Sequence, residues 1–404
     1  MPSLACYCRA VPRRFGLVLL AGAIAGSAVL VGGIRPAAAV SVSTESELRA
    51  AFATETAVDV EADIVLSDCT SGGRVVRPAT ETDPVTIDGH GHTILQTCSD
   101  NVLDQEGPGL VTLRNVTITG AHASGNGGGI FAAGPVTLTG ATIVKNRADG
   151  QGGGIAAEGV ITLVNSTIDS NVSSGVGGGI ALGPNSHVLT LTDSTVSNNV
   201  GGGIGTQGTD AEASVTIVNS TIANNTNGPG SLGGGIFSAG STTLIYATVV
   251  GNTAGAFGNI DTVTLDSFGS VVAKGAVNCL ATTTSHGYNF SDDGSCKFTD
   301  STDRENAGDP QLGPLADTGG GTQTLVPQPG SALIDAIPPG SCQADGAAGI
   351  ATDQRGITRP QGPGCDIGAV EVEVPTPPTA PVSPAPPTRP ARPVSVTVTP
   401  RFTG

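Results

Sequence analysis

Gly-Gly-Gly-Ile stands at 127–130 and returns at 152–155, 177–180, 201–204 and 233–236, in steps of 25, 25, 24 and 32 residues. A second phrase alternates with it: Ala141-Thr-Ile-Val-Lys-Asn146, Asn165-Ser-Thr-Ile-Asp-Ser-Asn171, Asp193-Ser-Thr-Val-Ser-Asn-Asn199, Asn219-Ser-Thr-Ile-Ala-Asn-Asn225 and Tyr246-Ala-Thr-Val-Val-Gly-Asn252. Two phrases that keep phase at about 25 residues mark stacked repeats. Each repeat holds three short β-prone pieces, such as 129–132, 136–139 and 141–144, and Val136 and Leu138 alternate with polar neighbours. Pieces this short cannot fold as isolated hairpins. Laid on their counterparts one coil away, they form three parallel sheets around a narrow apolar core, at a rise of about 4.8 Å per coil. The expected fold is all-β: a right-handed single-stranded parallel β-helix, the hand following from the right-handedness of parallel crossovers. The closing asparagines Asn146, Asn171, Asn199, Asn225 and Asn252 are expected to stack at a bend as a structural ladder.

Composition agrees. The 404 residues include 60 Gly, 27 Pro, 9 Phe, 3 Tyr and no Trp, which excludes a helix bundle, because Gly costs about 1 kcal/mol per interior helix position. Gly does not recur every third residue, so collagen is excluded, and a chain 38% hydrophobic and 13% charged is not disordered throughout.

The two ends differ from the middle. Arg9, Arg13 and Arg14 precede an apolar run over 15–34 and the small residues Ala37, Ala38 and Ala39, the layout of a secretory signal peptide over 1–39. The run is nearly long enough to remain as an anchor; no later segment has the length and apolarity of a span. Thr44-x-x-Glu47 reads as a capping box for a short helix through Leu48, Ala51 and Phe52, covering the open end of the core. The β-helix with this cap is expected over 40–272 and a loop-rich closing region over 273–374. A Pro-rich tail over 375–404, with ten Pro, three Arg and no acid, is expected to be extended or disordered.

Residues 40–374 carry 34 acids against 11 Lys and Arg, a net charge of −23, which argues against a nucleic-acid partner. Six cysteines remain after the signal: Cys69, Cys98, Cys279, Cys296, Cys342 and Cys365. Fifteen pairings are possible; neighbours 29, 17 and 23 residues apart are expected to join, because only nearby segments meet in a linear array. No CxxC or His pair favours zinc.

The region 309–371 reads Asp-Pro-Gln-Leu-Gly-Pro-Leu at 309–315, Pro-Gly-Ser-Ala-Leu-Ile-Asp at 329–335, Thr-Asp-Gln-Arg-Gly at 352–356 and Cys-Asp-Ile-Gly-Ala-Val-Glu at 365–371. With Gly287-Tyr-Asn-Phe upstream, it resembles the bacterial choice-of-anchor Q surface proteins. The coils resemble the repeats of polymorphic outer-membrane proteins. The resemblance implies a β-helix of the pectate-lyase-like superfamily, export to the surface, frequent adhesion and no shared catalytic residues. No sorting motif follows the family region in this sequence, which shifts the expectation toward release or loose retention through the tail.

The same superfamily contains polysaccharide lyases and glycoside hydrolases, so catalysis is the rival reading. Gly89-His90-Gly91 matches one hydrolase motif, but no Arg-x-Lys accompanies it, and His90 and His92 read as turn residues. Asp292-Asp293 sits in a turn beyond the coils. Asp149, Glu158, Asp169, Asp193 and Asp210 do not recur in phase, as a ladder of Ca²⁺ ligands would. Asp292, Asp293, Asp300 and Asp303 are the candidate Ca²⁺ loops, with a solvated acidic face as the alternative. Asn115, Asn165 and Asn219 open Asn-x-Ser/Thr sites that fall in phase with the coils and read as stacking positions. Arg355 or Arg359 is expected to pair with Asp366 or Asp335 and lock the closing loops over the last coil. The sequence therefore predicts a non-catalytic exported protein with no cofactor other than a conceivable Ca²⁺. Its expected partners are cell-wall or host glycans or surface proteins.

Overall fold

The computed structural model describes residues 38–373 except 71, 185–187, 208–210, 229–231, 256–257 and 345–346, together with 401, 403 and 404. The chain divides into a unit Met1–Glu373 and a unit Val374–Gly404. The signal peptide, apart from residues 38 and 39, and the Pro-rich tail, apart from those last three residues, lie outside the described residues, as does Asp210. No helix among the described residues is long and apolar enough to cross a membrane.

The first unit is a parallel β-solenoid. Its Gly-Gly-Gly-Ile segments lie on one another: Ile130 pairs with Ile155, Ile155 with Ile180, Ile180 with Ile204, Ile204 with Ile236. The second pieces stack Ile87, Leu113, Leu138, Leu163, Leu191, Ile217 and Leu244 in one column, every one fully buried. The third pieces stack Ile64, Ile94, Ile118, Ile143, Ile168, Val196, Ile222, Val249 and Val272. These three columns form the dry interior, and their mutual burial is the main stabilising term.

There are three parallel sheets, as expected, but the pieces are shared out differently and two sheets carry the columns. The first and second pieces belong to a single 17-stranded sheet, because later strands such as Ile236–Ile245 run through the bend between them. The third pieces make a 10-stranded sheet, and His122–Ala123, Arg147–Ala148 and Val172–Ser173 add a short 3-stranded one.

Each residue of the repeated phrase has a separate task. The residue after the second piece takes a left-handed conformation: Asn115, Asn165, Asp193, Asn219 and Tyr246 have φ of 46°, 48°, 51°, 44° and 51°. Asn tolerates that region better than most residues. Backbone conformation thus accounts for Asn115, Asn165 and Asn219, which form no amide stack. The following serines form a ladder of their own: the Ser166 and Ser194 N–H groups donate to Ser194 and Ser220 Oγ at 3.1 and 3.0 Å. The closing asparagines are joined Nδ2 to Oδ1 from Asn146 through Asn171, Asn199 and Asn225 to Asn252, at 3.1, 3.1, 2.9 and 2.8 Å. The row continues through Asn259 and Asn278 at 2.9 and 2.8 Å.

The glycine triplets follow from this ladder. Their first residue has positive φ, 68° at Gly127 and 66° at Gly177. A Cβ on the second, Gly128, would lie 2.3 Å from the Gly153 carbonyl of the next coil. A Cβ on the third would press on a ladder amide, at 3.1 Å from Asn146 Nδ2 for Gly129 and 3.0 Å from Asn199 Nδ2 for Gly179.

The N-terminal end is covered by the helix Glu45–Thr54. The Glu47 N–H donates to Thr44 Oγ1 at 3.4 Å, the Thr44 N–H donates to Glu47 Oε2 at 3.1 Å, and Leu48, Ala51 and Phe52 are buried. Arg77, fully buried, donates to the Phe52 and Glu55 carbonyls and ties this cap to the coils. At the other end Cys296 and Phe298 join the core. The disulfides are Cys69–Cys98, Cys279–Cys296 and Cys342–Cys365.

The coils continue past the expected boundary at 272, through Cys279–Ser285 and Phe290–Ser291, and the rest of the closing region does not sit over the last coil. It runs along the outer face of the 10-stranded sheet: Thr195 Oγ1 donates to the Gln323 carbonyl, Thr221 Oγ1 to Gln354 Oε1, and the Ala369 N–H to Thr248 Oγ1. Thr195–Ser197, Thr221–Ala223 and Thr248–Val250 are therefore buried on both faces, whereas Thr117–Thr119 and Thr142–Val144 bury one. Sheet faces that cannot be capped from the end are shielded from the side. A second apolar cluster of Tyr246, Phe268, Phe290, Leu333, Ile337 and Ile367 fills that contact.

Candidate ligand-binding cleft

The corner after the 10-stranded sheet repeats in left-handed geometry at Asn198, Asn224, Gly251 and Lys274, with φ of 54°, 57°, 69° and 59°. The strand register places these four one above another, each following a residue of the in-register set Ser197, Ala223, Val250 and Ala273. A residue held in this conformation turns its side chain away from the core. The corner thus becomes a column with a rise of about 4.8 Å per coil, carrying polar side chains at Asn198, Asn224 and Lys274 and none at Gly251.

A loop of the closing region stands opposite the column. Between them is a cavity of about 470 Å³ lined by Asn198, Asn224, Lys274, Leu315, Gln323 and Leu325, among others. Asn198 Nδ2 donates to Asp169 Oδ1 at 2.7 Å. Lys274 Nζ lies 3.3 Å from Asp309 Oδ1 at the surface. The Gln311 N–H and then Lys274 hold the Asp309 carboxyl below its ordinary range. The lining contains side-chain amides, an ammonium and apolar walls, and no Asp, Glu or His. Such a set binds hydroxyls and anions; it has no carboxylate pair for acid–base work.

The other candidates lie elsewhere. His90, at a left-handed corner with φ 48°, has Nε2 3.4 Å from Asp59 Oδ1 and Nδ1 3.8 Å from Asp88 Oδ1. With Asp59 and Glu61 it makes the one group of three metal-capable side chains found among the described residues; Glu61 and His90 are exposed and Asp59 is half-buried. His92 faces Asp63 at 3.4 Å. The acidic loops do not converge on a common point. Asp292 accepts from the Lys274 N–H and Asn278 Nδ2, Asp293 from the Ser295 and Asn278 N–H groups, Asp300 from the Thr302 N–H and Asp303 from the Asn289 N–H. These carboxylates satisfy turn backbone.

The arginines of the closing region pair differently from expectation. Arg355 Nη2 meets Asp353 Oδ2 at 2.8 Å and Arg359 Nη1 meets Glu371 Oε2 at 3.0 Å. Arg359 reaches Asp366 only at its carbonyl, because the Asp366 carboxylate already accepts from the Asp335 and Val372 N–H groups. Asp335 takes the Gly364 N–H. The Arg359 guanidinium also lies 4.2 Å over the Tyr246 ring. These contacts fasten the closing region to the coils; they do not form an open site.

Asp193 and Asp366 belong to the same contact, and burial pushes both carboxyls up to about 6. A carboxyl whose folded value exceeds its unfolded one near 3.9 binds protons preferentially in the folded state. The contribution is complete below about pH 4 and lost as the pH rises through about 6. Hydrogen exchange in 309–371 is therefore expected to slow as the pH falls from 7 to 5, after correction for intrinsic exchange. Asp193→Asn is expected to reduce that dependence.

Asn259, Asn278, the serine ladder and Gln354 were not legible as functional positions in the sequence. Asn259 lies only seven residues after Asn252, out of phase with the repeat, and Gln354 makes its bonds across 133 and 159 residues.

The architecture is that of a right-handed parallel β-helix. The family model for the right handed β-helix region matches residues 88–309, more than half of the chain, and the chain belongs to that family. No curated protein matches it. A solved chain described as L. reuteri 53608 SRRP aligns with 62% of this chain and 99% of its own length, at 16% identity and a TM-score of 0.31, too loose a likeness to bear on function.

Proposed function

We propose that this chain is an exported, non-catalytic β-helix protein of the cell surface or surroundings, which holds a glycan in the cleft at Asn198, Asn224 and Lys274. The observation that carries the reading is the composition of that cleft. Two amides one coil apart match successive hydroxyls of an extended saccharide, and Lys274 supplies the charge for a carboxylate such as a uronate. The rigid stack holds these donors at fixed spacing, which limits the ordering cost of binding. Three disulfides support an oxidising, extracytoplasmic setting. The closing signature over 309–371 supports placement with the choice-of-anchor Q surface proteins.

The test is calorimetric titration of the purified protein with oligouronides and their neutral counterparts. Lys274→Met, which removes an exposed ion pair worth at most about 1 kcal/mol of stability, is expected to weaken uronate binding at least tenfold. Unsaturated product appearing during the titration would replace this reading by a polysaccharide lyase. Equal affinity of wild type and Lys274→Met would remove the cleft from consideration.

A further inference from the structure

After Asp104, which Arg74 meets at 2.8 Å, the outward-facing positions of the first ladder form a column of seven: Phe131, Ala156, Ala181, Gly205, Phe237, Asp261 and Leu280, each in register with the next. Six of the seven are apolar or glycine. The seventh, Asp261, is 8% exposed, and its Oδ2 is buried with no hydrogen-bond partner. Among the described residues, no hydrogen bond or ion pair in the stacking of the coils uses this carboxyl.

A cavity of about 370 Å³ opens over Asp261, walled by Phe237, Ala239, Val263 and Leu280. Val263 and Leu280 are 58% and 45% exposed. The hydroxyls beside the carboxyl are already engaged: Ser238 Oγ donates to the Ser241 carbonyl and Thr262 Oγ1 to the Gly240 carbonyl. The pocket therefore presents apolar walls, one aromatic ring and the Asp261 carboxylate.

We propose that this pocket binds the ammonium group of an amine carried on an apolar body. The volume falls within the range of small-ligand sites, about 300–1,000 Å³. A calcium ion takes six to eight oxygens, and the pocket offers a single carboxylate. A neutral apolar ligand would seal that carboxylate from water with nothing bonded to it, at a cost of several kcal/mol. An ammonium supplies both donor and charge, and Phe237 in the same wall favours a cation further. The amine is either a free small molecule or the side chain of a polypeptide lysine.

The probes are benzylammonium, its neutral isostere benzyl alcohol, and Nα-acetyl-lysine methylamide, each titrated into the purified protein by calorimetry. Benzylammonium is expected to saturate one site. Benzyl alcohol, and benzylammonium with Asp261→Asn, are expected to bind at least tenfold more weakly. Leu280→Lys changes an exposed residue and places an ammonium one coil from Asp261; it is expected to abolish binding. Comparable binding of the lysine derivative would assign the site to a polypeptide, and binding of benzylammonium alone to a small amine. No binding of either amine, or unchanged affinity in Asp261→Asn, would overturn the proposal.

Discussion

Asn199→Ala is expected to lower the unfolding free energy by about 3 kcal/mol, among the largest losses available from a polar side chain in this molecule. Asn199 is fully buried. Its Oδ1 accepts from the Asn171 N–H at 2.8 Å and from Asn171 Nδ2 at 3.1 Å. Its Nδ2 donates to the Ile168 carbonyl at 3.0 Å and to Asn225 Oδ1 at 2.9 Å. Truncation strands the Asn171 N–H and breaks the amide row in mid-course. Each buried group left unpaired costs about 1–3 kcal/mol, more than the net worth of the bond itself. Water cannot repair the loss easily, because the third glycine of each triplet lies against the amide and leaves little room. Asn198→Gly, next in sequence but exposed and at φ 54°, keeps the left-handed corner and is expected to change stability by less than about 0.5 kcal/mol. Denaturant unfolding of the two variants side by side makes the comparison. Equal midpoints would show that the ladder contributes no more than an ordinary surface amide.

Arg359→Ala is expected to cost about 3–5 kcal/mol and to release the closing region before the coils unfold. The Arg359 and Glu371 side chains are each 1% exposed. The guanidinium also donates to the Asp366 and Gly368 carbonyls and covers the Tyr246 ring. Removing it leaves a carboxylate buried, with only the Gln361 and Asp366 N–H groups as donors. The double variant Arg359→Met with Glu371→Leu buries neither charge and is expected to lose much less than the single one. The reason lies in desolvation, which makes a broken buried pair worse than none. Proteolysis within 309–371 that precedes any loss of β-sheet circular dichroism would confirm local release. Simultaneous loss of both signals would show that the closing region and coils unfold as one unit.

Most of the solenoid was legible in the sequence because a stacked repeat is a local code. Ile130, Ile155 and Ile180 meet since each coil places the same residue at the same point, so spacing along the chain becomes adjacency in space. The same logic made the neighbouring cysteine pairs readable. Arg359 shows where this stops. Asp366 and Glu371 are both acids within reach of an arginine, and their order in the chain does not say which carboxylate is already bonded to backbone. The binding candidates were less legible still. Asn224 and Lys274 share no phrase in the sequence, yet the corner geometry puts both on one column. Asp261 reads as an ordinary acid in a polar stretch until the register sets it between Phe237 and Leu280.

By itself, the sequence determined the repeat, the inward columns, the capping helix and the cysteine partners, all of them products of short-range pattern. Tertiary structure alone decided that the closing region lies along the side of the coils, which acid each arginine holds, and which side chains face one another across a cavity. The first depends on contacts between segments more than a hundred residues apart, such as Thr221 with Gln354, and the others on which groups folding leaves side by side. Their partners are chosen by burial and by which hydrogen-bonding groups remain unpaired, and neither quantity exists until the chain has folded.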